Sequence, residues 1–217
     1  MDNSTSLSFE FFPAKTDAGI QRLAATMQDL KVYVPEYCSV TFGAGGSDQA
    51  NTKIAVEHAL QANISPITPH ISCVGMTEST LITMVDEYLA AGVNSFVVLR
   101  GDAPSDHYNA FTQWRYANDL VKFMRSRWQS DIRITVACYP EAHPESVDLA
   151  TDFKHFREKV AAGADRAITQ YFYNPDSYAY FLQQCQRHGV NTPIIPGVMP
   201  LENYANIKRF SARCGAE

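Results

Sequence analysis

The sequence has little of the composition that marks nucleic-acid-binding or membrane proteins. Its 18 Lys and Arg residues are outnumbered by 23 Asp and Glu residues, which gives a formal net charge of -5 with no long block of like charges. Nucleic-acid-binding domains usually carry a basic patch, so no nucleic-acid partner is expected. No apolar run approaches the roughly 20 residues that span a bilayer, and the N-terminus lacks the features of a signal peptide. These absences predict a cytoplasmic protein with no membrane partner.

Disulfide and metal-binding patterns are also missing. The five cysteines lie far apart and include no C-x-x-C pair. An odd, scattered set is typical of reduced thiols, and we expect most of them to be buried and unreactive. The segment EAHPE at 141–145 offers possible ligands, but prolines flank it and no second histidine stands at helical spacing. No metal site is therefore predicted.

Short apolar runs alternate along the chain with amphipathic segments. Apolar residues in 77–91 recur at intervals of three and four, which predicts a helix with Thr77 as its N-cap and Gly92 at its left-handed end. Similar patterns predict helices at 17–30 and 202–213. The predicted strands are 7–12, 37–42, 66–72, 95–100, 132–138, 166–173 and 193–198.

The alternation of strands and helices predicts a parallel α/β fold. Residues 90–102 (AAGVNSFVVLRGD) and 161–173 (AAGADRAITQYFY) share one pattern, in which a helix end with Ala-Ala-Gly is followed by an apolar strand. No G-x-G-x-x-G follows the first strand, so the Rossmann fingerprint is absent. Seven such strands favour a (β/α)₈ TIM barrel as one catalytic domain over 1–217, without its last strand and flanking helices.

Polar residues stand where the predicted strands end, and in barrel enzymes these ends form the active face. Taken singly, some allow other interpretations: His70 could be a hydrogen-bonded core histidine, and Arg100 could pair with Asp102. The glycine-rich stretch 43–46 could be a turn or a phosphate-binding loop. The polar residues at the strand ends are Glu10, Thr41, His70, Arg100, Gly101, Asp102, Tyr139, Glu141, His143 and Gln170.

The first strand places one carboxylate among three phenylalanines in SFEFFPAK, residues 8–15. With a period of two, Glu10 shares a strand face with Ser8 and Phe12, while Phe9 and Phe11 take the other face. The phenylalanines are expected in the core. Burial disfavours a charged carboxylate, so we expect a raised pKa for Glu10 and a side chain able to donate a proton.

Together these stretches resemble the 5,10-methylenetetrahydrofolate reductase family, in order from residue 8 to about residue 210. The resemblance implies a barrel that binds FAD without a Rossmann fingerprint and is often homo-oligomeric. It also implies ping-pong reduction of 5,10-methylenetetrahydrofolate to 5-methyltetrahydrofolate by NAD(P)H, a step that feeds methionine biosynthesis. The matching stretches are SFEFFP (8–13), SVTFGAGG (39–46), PHISC (69–73), LRGD (99–102), YANDLV (116–121), YPEAHPE (139–145), AGADRAITQYF (162–172) and PGVMP (196–200).

The resemblance implies roles for individual positions. Glu10 corresponds to the general acid that protonates N10 of the folate, and Asp102 to an aspartate beside both flavin and pterin. Gln170 corresponds to a pterin-binding glutamine, and Phe210 to an aromatic that packs on the folate aminobenzoate or on the nicotinamide nucleotide. The positions that correspond to FAD contacts are Thr41, His70, Arg100, Gly101, Asp102, Tyr116, Ala117, Tyr139, His143, Asp152, His155 and Lys159.

The chain departs from the family pattern on the segment that follows the fifth strand. Asp152, His155 and Lys159 fall at i, i+3 and i+7, which predicts that they share one helix face and bind the adenosine end of FAD. Glu158, however, stands where family members often have a basic residue, and His155 stands where asparagine is common.

Two alternatives to a complete flavin enzyme stay open. One is a truncated, inactive barrel that binds flavin or folate poorly. The other is a folate-binding methyltransferase domain, which would keep pterin contacts such as Gln170 but would have no use for Tyr116, His143 and Lys159.

Overall fold

A computed structural model describes residues 5–42, 49–63, 66–102, 111, 113–201 and 203–216. The chain divides into two compact units, Met1–Ala117 and Asn118–Glu217. The glycine-rich stretch 43–46 lies outside the described residues, so its predicted role as a turn or a phosphate loop is not addressed by the structure. The single-domain organisation predicted over 1–217 likewise stays a prediction.

The first unit is a run of parallel strands that lie side by side in chain order. The register aligns Glu10 with Ser39 on the neighbouring strand. A short 3₁₀ helix, Lys31–Tyr33, follows the first helix. The elements are β1 (Ser8–Phe11), α1 (Asp17–Leu30), β2 (Tyr37–Val40), α2 (Gln49–Ala62), β3 (Ile67–Ser72), α3 (Glu78–Ala90) and β4 (Ser95–Leu99).

The second unit repeats the same alternation with three parallel strands, again adjacent in chain order. A 3₁₀ helix, Gln129–Asp131, separates its first helix from its first strand. The elements are α4 (Ala117–Trp128), β5 (Arg133–Cys138), α5 (Leu149–Ala161), β6 (Arg166–Thr169), α6 (Pro175–Arg187), β7 (Ile194–Ile195) and α7 (Tyr204–Cys214).

Parallel strands that each lead into a helix confirm the predicted fold class, an α/β fold of the (β/α)₈ barrel type, with seven strands among the described residues. All seven predicted strands are present, but each is shorter than predicted, and the sixth and seventh are shorter by four residues each. The sixth ends at Thr169 because Tyr171 stacks on Phe210 of α7 and Phe172 stacks on Tyr178 of α6. This aromatic run therefore packs against helices instead of prolonging the sheet.

Local signals in the sequence explain where helix α3 begins and ends. The Thr77 side chain accepts a hydrogen bond from the backbone N–H of Thr80, as an N-cap does, and Gly92 adopts a φ of +83° beyond the last turn. Leu81 and Val85 are fully buried, as the apolar stripe predicts. The predicted helix is confirmed.

The predicted burial is confirmed for most of the cysteines but not for all of the phenylalanines of the first strand. All five cysteines are free and four are buried, as expected, with Cys214 half-buried. Of the SFEFF phenylalanines, Phe11 is buried, Phe9 is half-buried and Phe12 is 63% exposed, so the expectation that all three lie in the core is wrong. Within the described residues, none of the helices has the length and apolar character needed to span a bilayer.

Candidate functional site

Three neighbouring strands of the first unit bring Glu10, Ser39 and His70 together. Glu10 on β1 lies in register with Ser39 on β2, and His70 lies within β3. The Ser39 hydroxyl donates a hydrogen bond to Glu10 Oε2 at 3.3 Å, and His70 Nε2 lies 3.3 Å from the same oxygen. The His70 side chain is 7% exposed, whereas that of Glu10 is 43% exposed. The result is a partly exposed carboxylate held from two sides by buried neighbours.

The predicted rise in the pKa of Glu10 is wrong for this arrangement. Burial, the largest single influence, raises the pKa, but the contact and charge of His70 and the hydrogen bond from Ser39 together bring the pKa below its ordinary value. His70 lowers the pKa of Glu10 first through its direct contact with the carboxylate and then through its charge. Of the aromatic rings expected to desolvate Glu10, Phe11 is buried in the core, whereas Phe12 is 63% exposed.

The lowered pKa of Glu10 fixes the sign of its effect on stability. A carboxyl group whose pKa is lower in the folded chain stabilises that fold at any pH above its unfolded-state value. This contribution is lost as the pH falls through the lowered folded-state pKa. The contacts of Glu10 therefore favour the ionised carboxylate in the resting chain.

The ends of β3 and β4 are joined around Gly101. The Ser72 hydroxyl donates to the carbonyl of Arg100 at 3.1 Å, and the backbone N–H of Cys73 donates to that carbonyl as well. Gly101 has a φ of +80°, and a methyl group there would overlap the Ser72 hydroxyl. The backbone therefore turns sharply at Gly101 and leaves the Asp102 side chain exposed. The Arg100 guanidinium lies 5.8 Å from the centre of the Phe111 ring.

The remaining predicted FAD positions of the first unit lie at its strand and helix ends. The backbone N–H of Thr41, one residue past β2, donates to the Phe11 carbonyl at 2.9 Å. Tyr116 is 50% exposed beneath the Arg115 guanidinium, and the buried Ala117 begins α4.

In the second unit, the residues that follow β5 and β6 form a second polar group. The Tyr139 and His143 rings meet edge to face at 4.8 Å, and His143 Nδ1 accepts from the Glu145 N–H. The backbone N–H of Gln170 donates to the Cys138 carbonyl at 2.8 Å, and its side-chain Oε1 accepts from the Tyr171 N–H. A small cleft opens here, lined by Tyr139, Pro140, Glu141, Ala142, Gln170, Tyr171, Cys214 and Gly215.

Helix α5 does not present its three predicted ligands on one face. Asp152 is buried and accepts from the Ser146 hydroxyl at 2.8 Å, and Lys159 Nζ turns inward to donate to the Ala137 carbonyl at 2.5 Å. His155 is exposed and pairs with Glu158 at 3.2 Å. A spacing of seven residues nearly closes two helical turns, whereas a spacing of three leaves His155 about 60° away around the axis. The single face predicted from the spacing is therefore wrong for His155.

Burial governs the protonation of Lys159. Removal of its ammonium group from water lowers the pKa of Lys159, and the nearby Asp152 opposes that shift. The ammonium group is therefore costly to keep charged in the absence of an anionic ligand.

Sequence reasoning did not find two residues that shape these groups. Ser39, a small polar residue inside an apolar strand, meets Glu10 only because the two strands pair in register. Tyr171 stacks on Phe210 at 5.8 Å with the rings 10° apart, and its hydroxyl meets that of Ser211 at 2.9 Å. Burial raises the pKa of Tyr171 to about 12. Two features of the sequence could have indicated these residues: Ser39 is a polar residue at the start of SVTF, and Tyr171 belongs to the aromatic cluster QYFY.

No metal site accompanies these polar groups in the part of the chain that the structure describes. Among those residues, no three His, Cys, Asp or Glu side chains are placed to share an ion.

Comparison with known proteins relates the chain to one family. The family described as Methylenetetrahydrofolate reductase matches residues 1–217. A "Methylenetetrahydrofolate reductase (NADH) 1" of Arabidopsis thaliana is 37% identical, over 97% of this chain and 38% of its own length. A "5,10-methylenetetrahydrofolate reductase" of Buchnera aphidicola (subsp. Acyrthosiphon pisum, strain APS) is 36% identical, over 97% of this chain and 70% of its own length. The chain thus spans little more than a third of the plant relative and about two thirds of the bacterial one.

Solved structures show likeness of fold alone. A crystal structure of oxaloacetate acetylhydrolase superposes with a TM-score of 0.55, over 98% of this chain and 83% of that one, at 11% sequence identity. At such low identity the match supports the barrel class and carries no information about chemistry.

Proposed function

The chain belongs to the methylenetetrahydrofolate reductase family, and from this premise we propose that it reduces 5,10-methylenetetrahydrofolate to 5-methyltetrahydrofolate with NAD(P)H through bound FAD. Family membership supports the reaction. The flavin, the nicotinamide donor and the ping-pong order come from the sequence resemblance and are part of the proposal, as are the cytoplasmic location and the homo-oligomeric state.

The observation that carries the proposal is the carboxyl group of Glu10, held by Ser39 and His70 yet 43% exposed near the C-terminal end of β1. Barrel enzymes place their reacting groups at this end of the strands. A general acid must be fixed in position and still be able to reach its substrate. Glu10 meets both conditions.

The proposed task of Glu10 is to deliver a proton to N10 of the folate. Protonation of N10 allows the bond between that nitrogen and the methylene carbon to break, and the N5 lone pair then forms an iminium ion. The methylene carbon becomes electrophilic and accepts a hydride. Because the contacts of Glu10 favour the ionised carboxylate, Glu10 must gain a proton before each ring opening.

The donor set around Lys159 fits an anionic cofactor such as FAD, which would accept a hydride from NAD(P)H and pass it to the folate. A buried ammonium group with a lowered pKa gains stability from a nearby phosphate, because the anion offsets the cost of desolvation. Within the same unit, His143 is a further cationic candidate, and the Tyr139 ring is available for stacking. The Glu158 carboxylate opposes an anion, and it lies 3.2 Å from His155 Nδ1 and 4.0 Å from the exposed Lys154 Nζ.

Lys159→Met is expected to stabilise the flavin-free chain while weakening FAD binding. The substitution removes a desolvated charge, and we expect a gain of about 1 kcal/mol in the free energy of unfolding. Loss of a charge-assisted hydrogen bond should weaken FAD binding by about ten- to a hundredfold. Thermal unfolding and titration with FAD, followed by flavin fluorescence, measure the two effects.

Lys154→Met on the same helix is the matched control, because that side chain is 72% exposed. It should alter neither quantity appreciably. If Lys159→Met left FAD affinity unchanged, Lys159 would not be a phosphate ligand. The stability of wild-type protein should also rise with pH between the lowered folded-state pKa of Lys159 and its unfolded-state value, since the unfolded chain binds more protons there.

Asp102→Asn is expected to raise the reduction potential of bound flavin and to slow folate reduction by at least about tenfold. Removal of an exposed carboxylate beside the flavin would favour electron uptake, and the same charge would no longer stabilise the cationic iminium. Potentiometric titration and single-turnover reoxidation measure these effects. An unchanged potential would remove Asp102 from the flavin site.

The proposed reaction is tested by its product. The full chain, incubated with FAD, NADH or NADPH and 5,10-methylenetetrahydrofolate, should form 5-methyltetrahydrofolate that mass spectrometry detects. If the chain bound flavin but formed no product, the alternative of an inactive barrel would be favoured. If it bound folate but no flavin, the alternative of a methyltransferase domain would be favoured.

A further inference from the structure

His70, which the sequence resemblance counts among the flavin contacts, lies against Glu10 in the structure. It lies inside β3, two residues before the strand ends, and its side chain is almost wholly buried. Its Nε2 lies 3.3 Å from Glu10 Oε2. A buried imidazole whose nitrogen faces a carboxylate at this distance is coupled to the charge of that carboxylate.

The groups that act on the Glu10 carboxylate are few in the described part of the chain. They are the Ser39 hydroxyl from β2 and the His70 ring from β3, and both meet the same oxygen, Oε2. The hydroxyl of Ser39 does not titrate near neutral pH. Imidazole is the side chain whose charge ordinarily changes in that range, so His70 is the neighbour that can store a proton.

We propose that His70 is a positioning residue that stores the proton delivered by Glu10, so that Glu10 and His70 act as one proton-donating pair. The inference rests on the proposed function of Glu10. The proton passes from His70 Nε2 to Glu10 Oε2 and then to N10 of the folate. It leaves a neutral imidazole and an ionised carboxylate, and solvent restores the proton through the exposed part of Glu10.

This pairing resolves a difficulty with Glu10 as a lone acid. A carboxyl group stabilised in its ionised form is a poor proton reservoir near neutral pH. An adjacent imidazole supplies the proton when an incoming substrate displaces water from the carboxylate, because desolvation then favours its neutral form. The lowered pKa of the resting carboxylate and its role as a proton donor are therefore compatible.

The direct test is an NMR titration of the Glu10 carboxyl carbon in the full chain, assigned by its loss in Glu10→Gln. His70→Gln retains an amide near the position of Nε2 but cannot store a proton. We expect the Glu10 carboxyl to titrate at higher pH in His70→Gln than in the wild type, because the electrostatic partner is lost. Ser39→Ala should shift it in the same direction.

Thr68→Val is the matched control for this titration. Thr68 lies on the same face of β3, two residues from His70, and is fully buried. Its replacement perturbs the same packing without touching the carboxylate, so Glu10 should titrate as in the wild type. If His70→Gln does not fold, His70→Asn takes its place. A Glu10 titration that is unchanged in the histidine variant overturns the inference.

The second readout separates this inference from the flavin assignment. In His70→Gln, the pH profile of folate reduction should change, and the rate of folate reduction should fall by at least about tenfold more than the rate of flavin reduction by NAD(P)H. Loss of flavin binding with an unchanged Glu10 titration would make His70 a flavin ligand and overturn the inference. If the wild-type chain reduced no folate, the proposed function would fail, whereas the NMR titration would still report whether the pair is coupled.

Discussion

Glu10→Gln is expected to lower the rate of folate reduction by about 10²- to 10⁴-fold, while the rate of flavin reduction by NAD(P)H stays nearly unchanged. Glutamine keeps the size of the side chain and can still meet Ser39 and His70, but it has no proton to give to N10. Flavin reduction needs no proton from this residue. Anaerobic stopped-flow measurement of the two half-reactions separates the effects.

The control for this prediction is Glu78→Gln, which changes an exposed carboxylate in the first turn of α3. Both half-reactions should proceed there as in the wild type. Equal loss of both half-reactions in Glu10→Gln would indicate a general structural defect. Unimpaired folate reduction would show that Glu10 is not the acid.

Gly101→Ala should be the most destabilising of the single substitutions considered. The residue has a φ of +80°, and the added methyl would overlap the Ser72 hydroxyl and lie 3.0 Å from Val74 Cγ2. Backbone strain and overpacking together should lower the free energy of unfolding by about 3 kcal/mol or more. Because Ser72 also bonds the Arg100 carbonyl, the displacement should weaken flavin binding too. Urea unfolding and FAD titration measure the two effects.

Gly75 supplies the control, since it has a φ of +67° but nothing within 4 Å of an added methyl. Gly75→Ala should cost only the backbone strain, about 1–2 kcal/mol. Removal of the clashing hydroxyl in the double variant Ser72→Ala, Gly101→Ala should recover part of the lost stability. If Gly101→Ala and Gly75→Ala lowered the free energy of unfolding equally, the overlap with Ser72 would not contribute to the loss of stability.

The sequence predicts the fold well because its signals are local. The period of the apolar residues locates α1 and α3, the Thr77 cap and Gly92 mark the ends of α3, and the alternation of elements identifies the parallel α/β class. Each of these features depends on residues within one or two turns of the chain. The lengths of β6 and β7 are less predictable, since aromatic residues packed against α6 and α7 end the sixth strand early.

The protonation of the candidate acid could not be predicted, because it depends on residues from other strands. The phenylalanines beside Glu10 in sequence suggested desolvation, whereas Ser39 and His70, 29 and 60 positions away, decide the outcome in the structure. The same reason applies to α5, where Lys159 turns toward a strand carbonyl and His155 toward Glu158. The residue types in the sequence indicate a polar site, but the protonation of its ionisable groups depends on contacts between residues far apart in the sequence.

The most direct test of the account is the spectrum of the FAD-loaded full chain under anaerobic conditions. NADH or NADPH alone should bleach the flavin absorption, and later addition of 5,10-methylenetetrahydrofolate should restore it with formation of one equivalent of 5-methyltetrahydrofolate. A chain that takes up no FAD, or a bleached flavin that the folate does not reoxidise, would contradict the account.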